Sequence, residues 1–346
     1  MASVDSTAEI PRDVRECLLS PHGMVPCQTI AGGLSAARLW MCHSGTSLAC
    51  LRRWPPEHPR LSRLQFIHQA IEAAGHGGLD FVPRLYRALG SDSYILTEGA
   101  FWELSTWMPG SASYLREPSD NRMAAAIVAL AQLHGCWNRW KSTLGLAPAF
   151  ERRAVALANW LARIEAGELW QVRFSDPIVA ELGRKTIEIL NIHGPQMIGP
   201  LRELAQREWL VQPVLRDIRS DHVLFVNDRV GGIIDYGALD FDTPATDLAR
   251  LLGSLEPSNS AARVRGLELY RQQIECPDFS WETIDLLDQA STILACAQWF
   301  EWLVLERREF ANEADLLYGR WRASIQRAQS FAVSTTASSP RLWLPT

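Results

Sequence analysis

Residues 214–225 read VLRDIRSDHVLF, an Asp and a His five positions apart among loose charges, directly before an apolar run. A second apolar run, Val230-Gly231-Gly232-Ile233-Ile234, follows across Asn227-Asp228-Arg229, a sequence rich in turn formers. The two runs predict a β-hairpin. His222 then lies just before the first strand and Asp235 just after the second, so both fall at its open end. Asp217 belongs to the loop that feeds that end. Two carboxylates and an imidazole placed this way suit phosphoryl transfer. One carboxylate would orient a hydroxyl and accept its proton, while the other holds Mg2+ between phosphate oxygens. A turn cap at Asp217 and a strand end at Asp235 would account for the same residues equally well.

The bulk properties narrow the class. The chain has 346 residues, 21% charged and 47% hydrophobic, an ordinary globular composition with length for two domains or one two-lobed unit. A net charge of -5 argues against a protein that binds nucleic acid by neutralising phosphates. The 7 cysteines form no CxxC pair and no Cys/His metal spacing, which fits buried thiols in a reducing compartment. The opening MASVDSTAEIPRDVRE lacks the apolar core of a secretory signal. No run approaches the ~18 apolar residues of a membrane span. The expectation is a cytoplasmic protein with no membrane or nucleic-acid partner; its oligomeric state stays open.

Along the chain, β-like runs at 37–42 and 47–52 flank the turn residues His43-Ser44-Gly45-Thr46, and 94–97 and 101–107 read as two more strands. Apolar residues at 61, 64, 67, 70, 71 and 74 repeat at helical spacing, with Gly75 as the stop. Met108-Pro109-Gly110 breaks the regularity. Beyond it helices are expected from Asp120 as N-cap to Trp140, at 150–166, 176–192 and 197–208, and again from 247 to about 328. The fold expected is α+β and two-lobed: a β-rich lobe over 1–108, a helical lobe over 109–332 carrying the catalytic hairpin 214–237, and a flexible tail over 333–346.

The whole stretch VLRDIRSDHVLFVNDRVGGIIDYGALDFDTPATDLARLLG, residues 214–253, resembles the aminoglycoside phosphotransferase family of kinase-like enzymes. The resemblance implies a protein-kinase-like fold and ATP- and Mg2+-dependent transfer to a small-molecule hydroxyl. It puts Asp217 at the catalytic base, Asp235 and His222 at the metal positions, and Asp247 as a structural buttress. It likens Ala31-Gly32-Gly33-Leu34-Ser35-Ala36 to a phosphate loop in which the backbone of Gly32, Gly33 and Ser35 approaches the ligand. It also has adenine pair with the main chain near Thr106 and Met108, and makes His134 structural.

The sequence departs from the pattern in three places. His222 replaces an Asn, and imidazole is a poor ligand for Mg2+; it could instead bond Asp217 or a phosphate, or staple the loop. Arg52 stands for the phosphate-binding lysine, with a wider fork than an ammonium. The helix at 61–74 has no acid in its first two turns to hold that cation: Gln65 sits nearest the place, and Glu72 is expected to face solvent. These departures leave a second expectation open, an impaired kinase-like nucleotide-binding or scaffold protein. The acceptor is unspecified; Trp137, Trp140, Trp160, Trp170, Trp299 and Trp302 are candidates to line its cleft, and core positions suit them as well.

Overall fold

The computed structural model describes residues 9–30, 37–174, 176–274, 280–310 and 314–331; the expected tail lies outside them. In chain order its main elements are α1 (Arg12–Val14), β1 (Val25–Ile30), β2 (Arg38–Ser44), β3 (Ser47–Arg53), α2 (Leu61–His76), β4 (Ile95–Thr97), β5 (Ala100–Thr106) and α3 (Asp120–Trp140). Then come β6 (Thr143–Leu146), α4 (Pro148–Glu165), α5 (Pro177–Ala205), β7 (Glu208–Val214), β8 (Val223–Val226), β9 (Arg229–Ile233) and β10 (Asp240–Asp242). Helices α6 (Ala245–Leu255), α7 (Ser260–Gln273), α8 (Trp281–Phe300) and α9 (Ala314–Gln329) complete it. The fold is α+β, with a small antiparallel sheet and a helical part. Two compact units form: Met1–Lys141 with Asp217–Asp240 and Leu269–Ile274, and Ser142–Arg216 with Phe241–Glu268 and Glu275–Thr346.

In the first unit the sheet runs β1-β2-β3-β5-β4, antiparallel throughout. Strand alternation sorts its side chains into two faces. One face carries Trp40, Cys42, Ala49, Leu51, Trp102 and Leu104 into a core closed by Ile10, Val14, Leu18 and Leu19. Ile10 just precedes α1, and the other three come from α1 and the helical turn that follows it; neither this segment nor β1 is signalled by the local sequence pattern. Trp40 and Trp102 stack at 5.3 Å within this core. On the other face, register pairs Arg52 directly with Glu103.

Two helix boundaries differ from expectation by a residue or two. Helix α2 runs past Gly75 to His76, and Ser119 rather than Asp120 caps α3, accepting from Arg122 N at 3.1 Å. In the second unit, β6, β7 and β10 form a three-stranded sheet in the order β10-β7-β6 beside the helices. The helices expected at 176–192 and 197–208 are one: α5 spans 29 residues with Pro195 and Pro200 inside it. Proline costs a helix one hydrogen bond and a steric clash. Packing overrides that here, because Leu190, His193, Gly194, Met197 and Leu201 continue one buried stripe across the prolines. Gly194 lets Leu161 approach, at 3.4 Å from where a Cβ would sit. Among the described residues no helix is long and apolar enough to cross a membrane.

Candidate active site

Strands β8 and β9 pair from Val223↔Ile233 to Val226↔Arg229, closing the hairpin on Asn227-Asp228. At its open end Ile234 N–H donates to His222 O at 3.0 Å, so His222 and Asp235 emerge side by side. His222 Nε2 lies 3.8 Å from Asp235 Oδ2 and 3.8 Å from Asp221 Oδ1. Asp235 has left-handed backbone (φ 65°, ψ 69°), and its Oδ1 accepts from Gly237 N at 3.4 Å. A non-glycine residue held there stores strain of the sort found at functional sites. Arg216, just before Asp217, is left-handed too, at φ 66°. The loop after Asp217 turns Arg219 into the acid cluster, bonded to Asp221 at 3.1 and 2.9 Å. Burial pushes the Arg219 pKa down, but the charges of Asp221, Asp217 and Asp235 and a hydrogen bond to Asp221 carry it above its ordinary value. Asp217, Asp221 and Asp235 therefore share one electrostatic neighbourhood around one guanidinium.

In the second unit, Asp247 is fully buried in the first turn of α6. Its Oδ2 accepts from Leu215 N and its Oδ1 from Arg216 N, each at 2.6 Å. Both amides belong to the residues immediately before Asp217. Asp247→Ala would leave one buried and one half-buried amide without their acceptor, and we expect it to cost about 2–5 kcal/mol, read as a lower midpoint in urea unfolding. A midpoint within 1 kcal/mol of the parent would show that the carboxylate is dispensable.

The cation on β3 has its acid on the neighbouring strand, not on the helix. Arg52 Nη1 lies 3.8 Å from Glu103 Oε1 on the neighbouring strand. Glu103 Oε2 accepts from Trp54 Nε1 at 2.8 Å and meets His68 Nε2 at 2.7 Å, while His68 Nδ1 meets Ser93 Oγ at 2.6 Å. Burial alone would raise the Glu103 pKa; the hydrogen bond and charge of His68, the charge of Arg52 and the Trp54 hydrogen bond outweigh it, so the pKa falls below the ordinary range. Glu103 is a carboxylate. Helix α2 thus contributes His68 in place of an acid, whereas Gln65 points to the Tyr94 hydroxyl at 3.4 Å and Glu72 pairs with Arg87. The same helix reaches the segment after Asp235. Arg63 donates to Asp240 Oδ2 (2.8 Å) and to the carbonyls of Ala238 (3.0 Å) and Leu239 (2.9 Å). Trp54 links the two regions: the Arg52 guanidinium stacks on its ring at 4.7 Å, and that ring packs against Gly237, 3.4 Å from where a Cβ would stand.

Beyond β5 the chain passes the hairpin closely. A Cβ on Gly232 would meet Met108 Cβ at 2.5 Å, and one on Gly231 the Pro109 carbonyl oxygen at 2.5 Å. Both glycines are needed for this approach. The Thr106 N–H is taken by Arg84 O (2.9 Å) and the Trp107 N–H by Leu48 O (3.1 Å), so among the described residues Met108 keeps its amide uncommitted. Gly32, Gly33 and Ser35 lie outside the described residues. His134 is core, fully buried with Nδ1 against the Tyr270 hydroxyl at 2.7 Å. So is Trp137, whose Nε1 donates to Ala70 O at 2.8 Å. Trp299 and Trp302 meet edge-on at 5.6 Å in the second unit.

Among the described residues no group of three or more His, Cys, Asp and Glu side chains is arranged to hold a metal by itself. Mg2+ is usually held by one or two carboxylates together with substrate phosphates and water. Asp235, with its side chain 48% exposed, fits that role. His222 does not: it offers nitrogen, and its Nε2 lies 3.5 Å from the cationic Arg219 Nη2.

Comparison with known proteins agrees with this architecture. The profile of the phosphotransferase enzyme family, APH, matches residues 26–287. No curated protein matches the chain. Among solved structures, a spectinomycin phosphotransferase in complex with ADP and spectinomycin is similar with a TM-score of 0.62 at 12% identity, covering 89% of this chain and 94% of that one. An aminoglycoside phosphotransferase from Alicyclobacillus acidocaldarius is similar with a TM-score of 0.54 at 14% identity, over 96% and 95% of the two chains. A third is an aminoglycoside phosphotransferase in ternary complex with ADP and hygromycin B, with a TM-score of 0.51 at 13% identity over 90% and 97%. At such identities these structures speak for the fold, and the profile, spanning well over half of the sequence, speaks for the family. The chain belongs to the phosphotransferase enzyme family.

Proposed function

We propose that this protein is an ATP- and Mg2+-dependent kinase that transfers the γ-phosphoryl group to a hydroxyl of a small molecule. What supports the reading is Asp235 beside His222 at the open end of the hairpin, with Arg219 in the field of both Asp217 and Asp235, in a chain of this family. Asp217 would orient the acceptor hydroxyl and take its proton as the oxygen bonds to the γ-phosphorus. The bond from that phosphorus to the β–γ bridging oxygen breaks, and ADP leaves. Mg2+, held by Asp235 and phosphate oxygens, would neutralise developing charge. Arg52, anchored by Glu103, would grip the phosphates together with the backbone of Gly32, Gly33 and Ser35. The adenine edge would pair with the Thr106 carbonyl and the Met108 amide. On this reading residues 1–108 help hold the nucleotide, 109–332 supply Asp217, Asp235 and the acceptor site, and the cytoplasm supplies the ATP. The ADP found in the spectinomycin and hygromycin B complexes supports the nucleotide assignment.

The test is thermal unfolding with and without MgATP. A ligand bound only by the folded protein, at 100 times its Kd, stabilises by about 2.7 kcal/mol. The parent should melt higher with MgATP, and Asp235→Ala should lose most of that gain. A coupled ADP-release assay across aminoglycosides, choline-like alcohols, amino alcohols and sugars then names the acceptor. Nucleotide binding with no turnover on any of them would favour a catalytically impaired, nucleotide-binding relative. No binding sinks the kinase reading.

A further inference from the structure

Arg219 stands beside His222, the residue at the position of the second metal ligand. In kinases of this general design two divalent ions act on the phosphates, one from the Asp after the hairpin and one from an Asn in the loop before it. Here position 222 carries an imidazole that is 7% exposed, whose Nδ1 has no hydrogen-bond partner among the described residues. Its other nitrogen faces a fixed cation. Arg219 Nη2 stands 3.5 Å from His222 Nε2, and Asp221 grips the guanidinium through both oxygens, at 3.1 and 2.9 Å. The carboxylates of Asp217 and Asp235 also act on it. The cluster therefore contains its own positive charge, already desolvated in part and already oriented. A guanidinium is a strong phosphate ligand because its fork matches two phosphate oxygens. A second dication beside it would meet like charge and a nitrogen donor that Mg2+ avoids.

We infer that Arg219, positioned by Asp221, takes the place of the second divalent cation: the site uses one Mg2+, at Asp235, and the guanidinium meets the terminal phosphate from the other side. This rests on the ATP-dependent reading above. His222 then packs beside the guanidinium and keeps it in place. Arg219 forms no covalent bond in the transfer; it balances charge on the γ-phosphate oxygens while the phosphorus changes oxygen partners.

The experiment counts metal ions. Mn2+ is titrated into the full-length protein saturated with AMP-PNP, and free Mn2+ is followed by electron paramagnetic resonance. One bound Mn2+ per protein–nucleotide complex is expected in the parent, and two in the double variant Arg219→Ala, His222→Asn, which removes the cation and supplies an oxygen donor. Once an acceptor is known, Arg219→Ala should lower kcat about 100-fold at saturating nucleotide, with Arg219→Lys recovering part of the loss. Melting curves for each variant establish that it folds. Two Mn2+ in the parent with AMP-PNP bound would overturn this inference and leave the kinase reading standing, as would Arg219→Ala with full kcat. Failure of AMP-PNP to bind at all would instead remove the reading beneath it.

Discussion

Asp217→Asn should lower kcat about 10²–10⁴-fold, the usual worth of a positioned general base, while nucleotide affinity stays near that of the parent. The substitution keeps the size and shape of the side chain and still offers an oxygen to the acceptor hydroxyl. What it removes is the ability to take the proton. Nucleotide affinity should be spared because the groups assigned to the phosphates lie elsewhere: Arg52 is held by Glu103, and Arg219 by Asp221. The backbone around position 217 should be spared as well, since Asp247 fixes the two preceding amides without using the Asp217 side chain. Two measurements check this, turnover by coupled ADP release and nucleotide affinity by thermal shift. A variant that turns over within tenfold of the parent would show that the acceptor proton leaves by another route. One that loses nucleotide binding in equal measure would make Asp217 part of the phosphate site.

The features legible in the sequence are those whose partners are close along the chain. The β8–β9 hairpin follows from two apolar runs and a two-residue turn, and with it comes the meeting of His222 and Asp235 at one end. Helices α2 and α3 follow from apolar spacing, and their ends shift by a residue or so because capping is decided by single hydrogen bonds such as Arg122 N to Ser119 Oγ. Local propensity misleads at α5, where Pro195 and Pro200 signal a break that buried contacts cancel. Long-range choices are illegible. Glu103 is visible in the sequence as an acid in a strand, but only the β3–β5 register places it opposite Arg52, and only the packing of α2 brings His68 to it. Arg63, which clamps the chain at 238–240, lies 177 positions from its partner Asp240. The acid sought on the helix exists on the strand, and a one-residue slip in β5 would have turned it to the other face.

Glu103→Gln is the most informative stability variant, and we expect it to cost about 3–5 kcal/mol. The carboxylate receives Trp54 Nε1 and His68 Nε2 on one oxygen and faces Arg52 with the other. A glutamine amide keeps one acceptor and turns an NH2 toward donors, so at least one buried donor loses its partner and Arg52 loses its counter-charge. The loss should show twice, as a lower unfolding midpoint and as a higher KM for ATP with a smaller change in kcat, because an unanchored Arg52 grips phosphate less well. Its pH dependence has a definite sign. The Glu103 pKa is lower in the folded protein than in the unfolded chain, where a glutamate titrates near 4.3. Its contribution is therefore complete above about pH 4.3 and is lost as pH falls through the lower folded value. The gap in urea midpoint between parent and variant should be full at pH 7 and shrink below about pH 4. Coupling to His68 can be isolated with the double variant Glu103→Gln, His68→Asn, since residues in direct contact deviate from additivity by about 0.5–3 kcal/mol. Additive losses would mean that Glu103 and His68 do not support each other, and a Glu103→Gln protein that melts with the parent and keeps its KM would mean that the strand acid does not hold the cation.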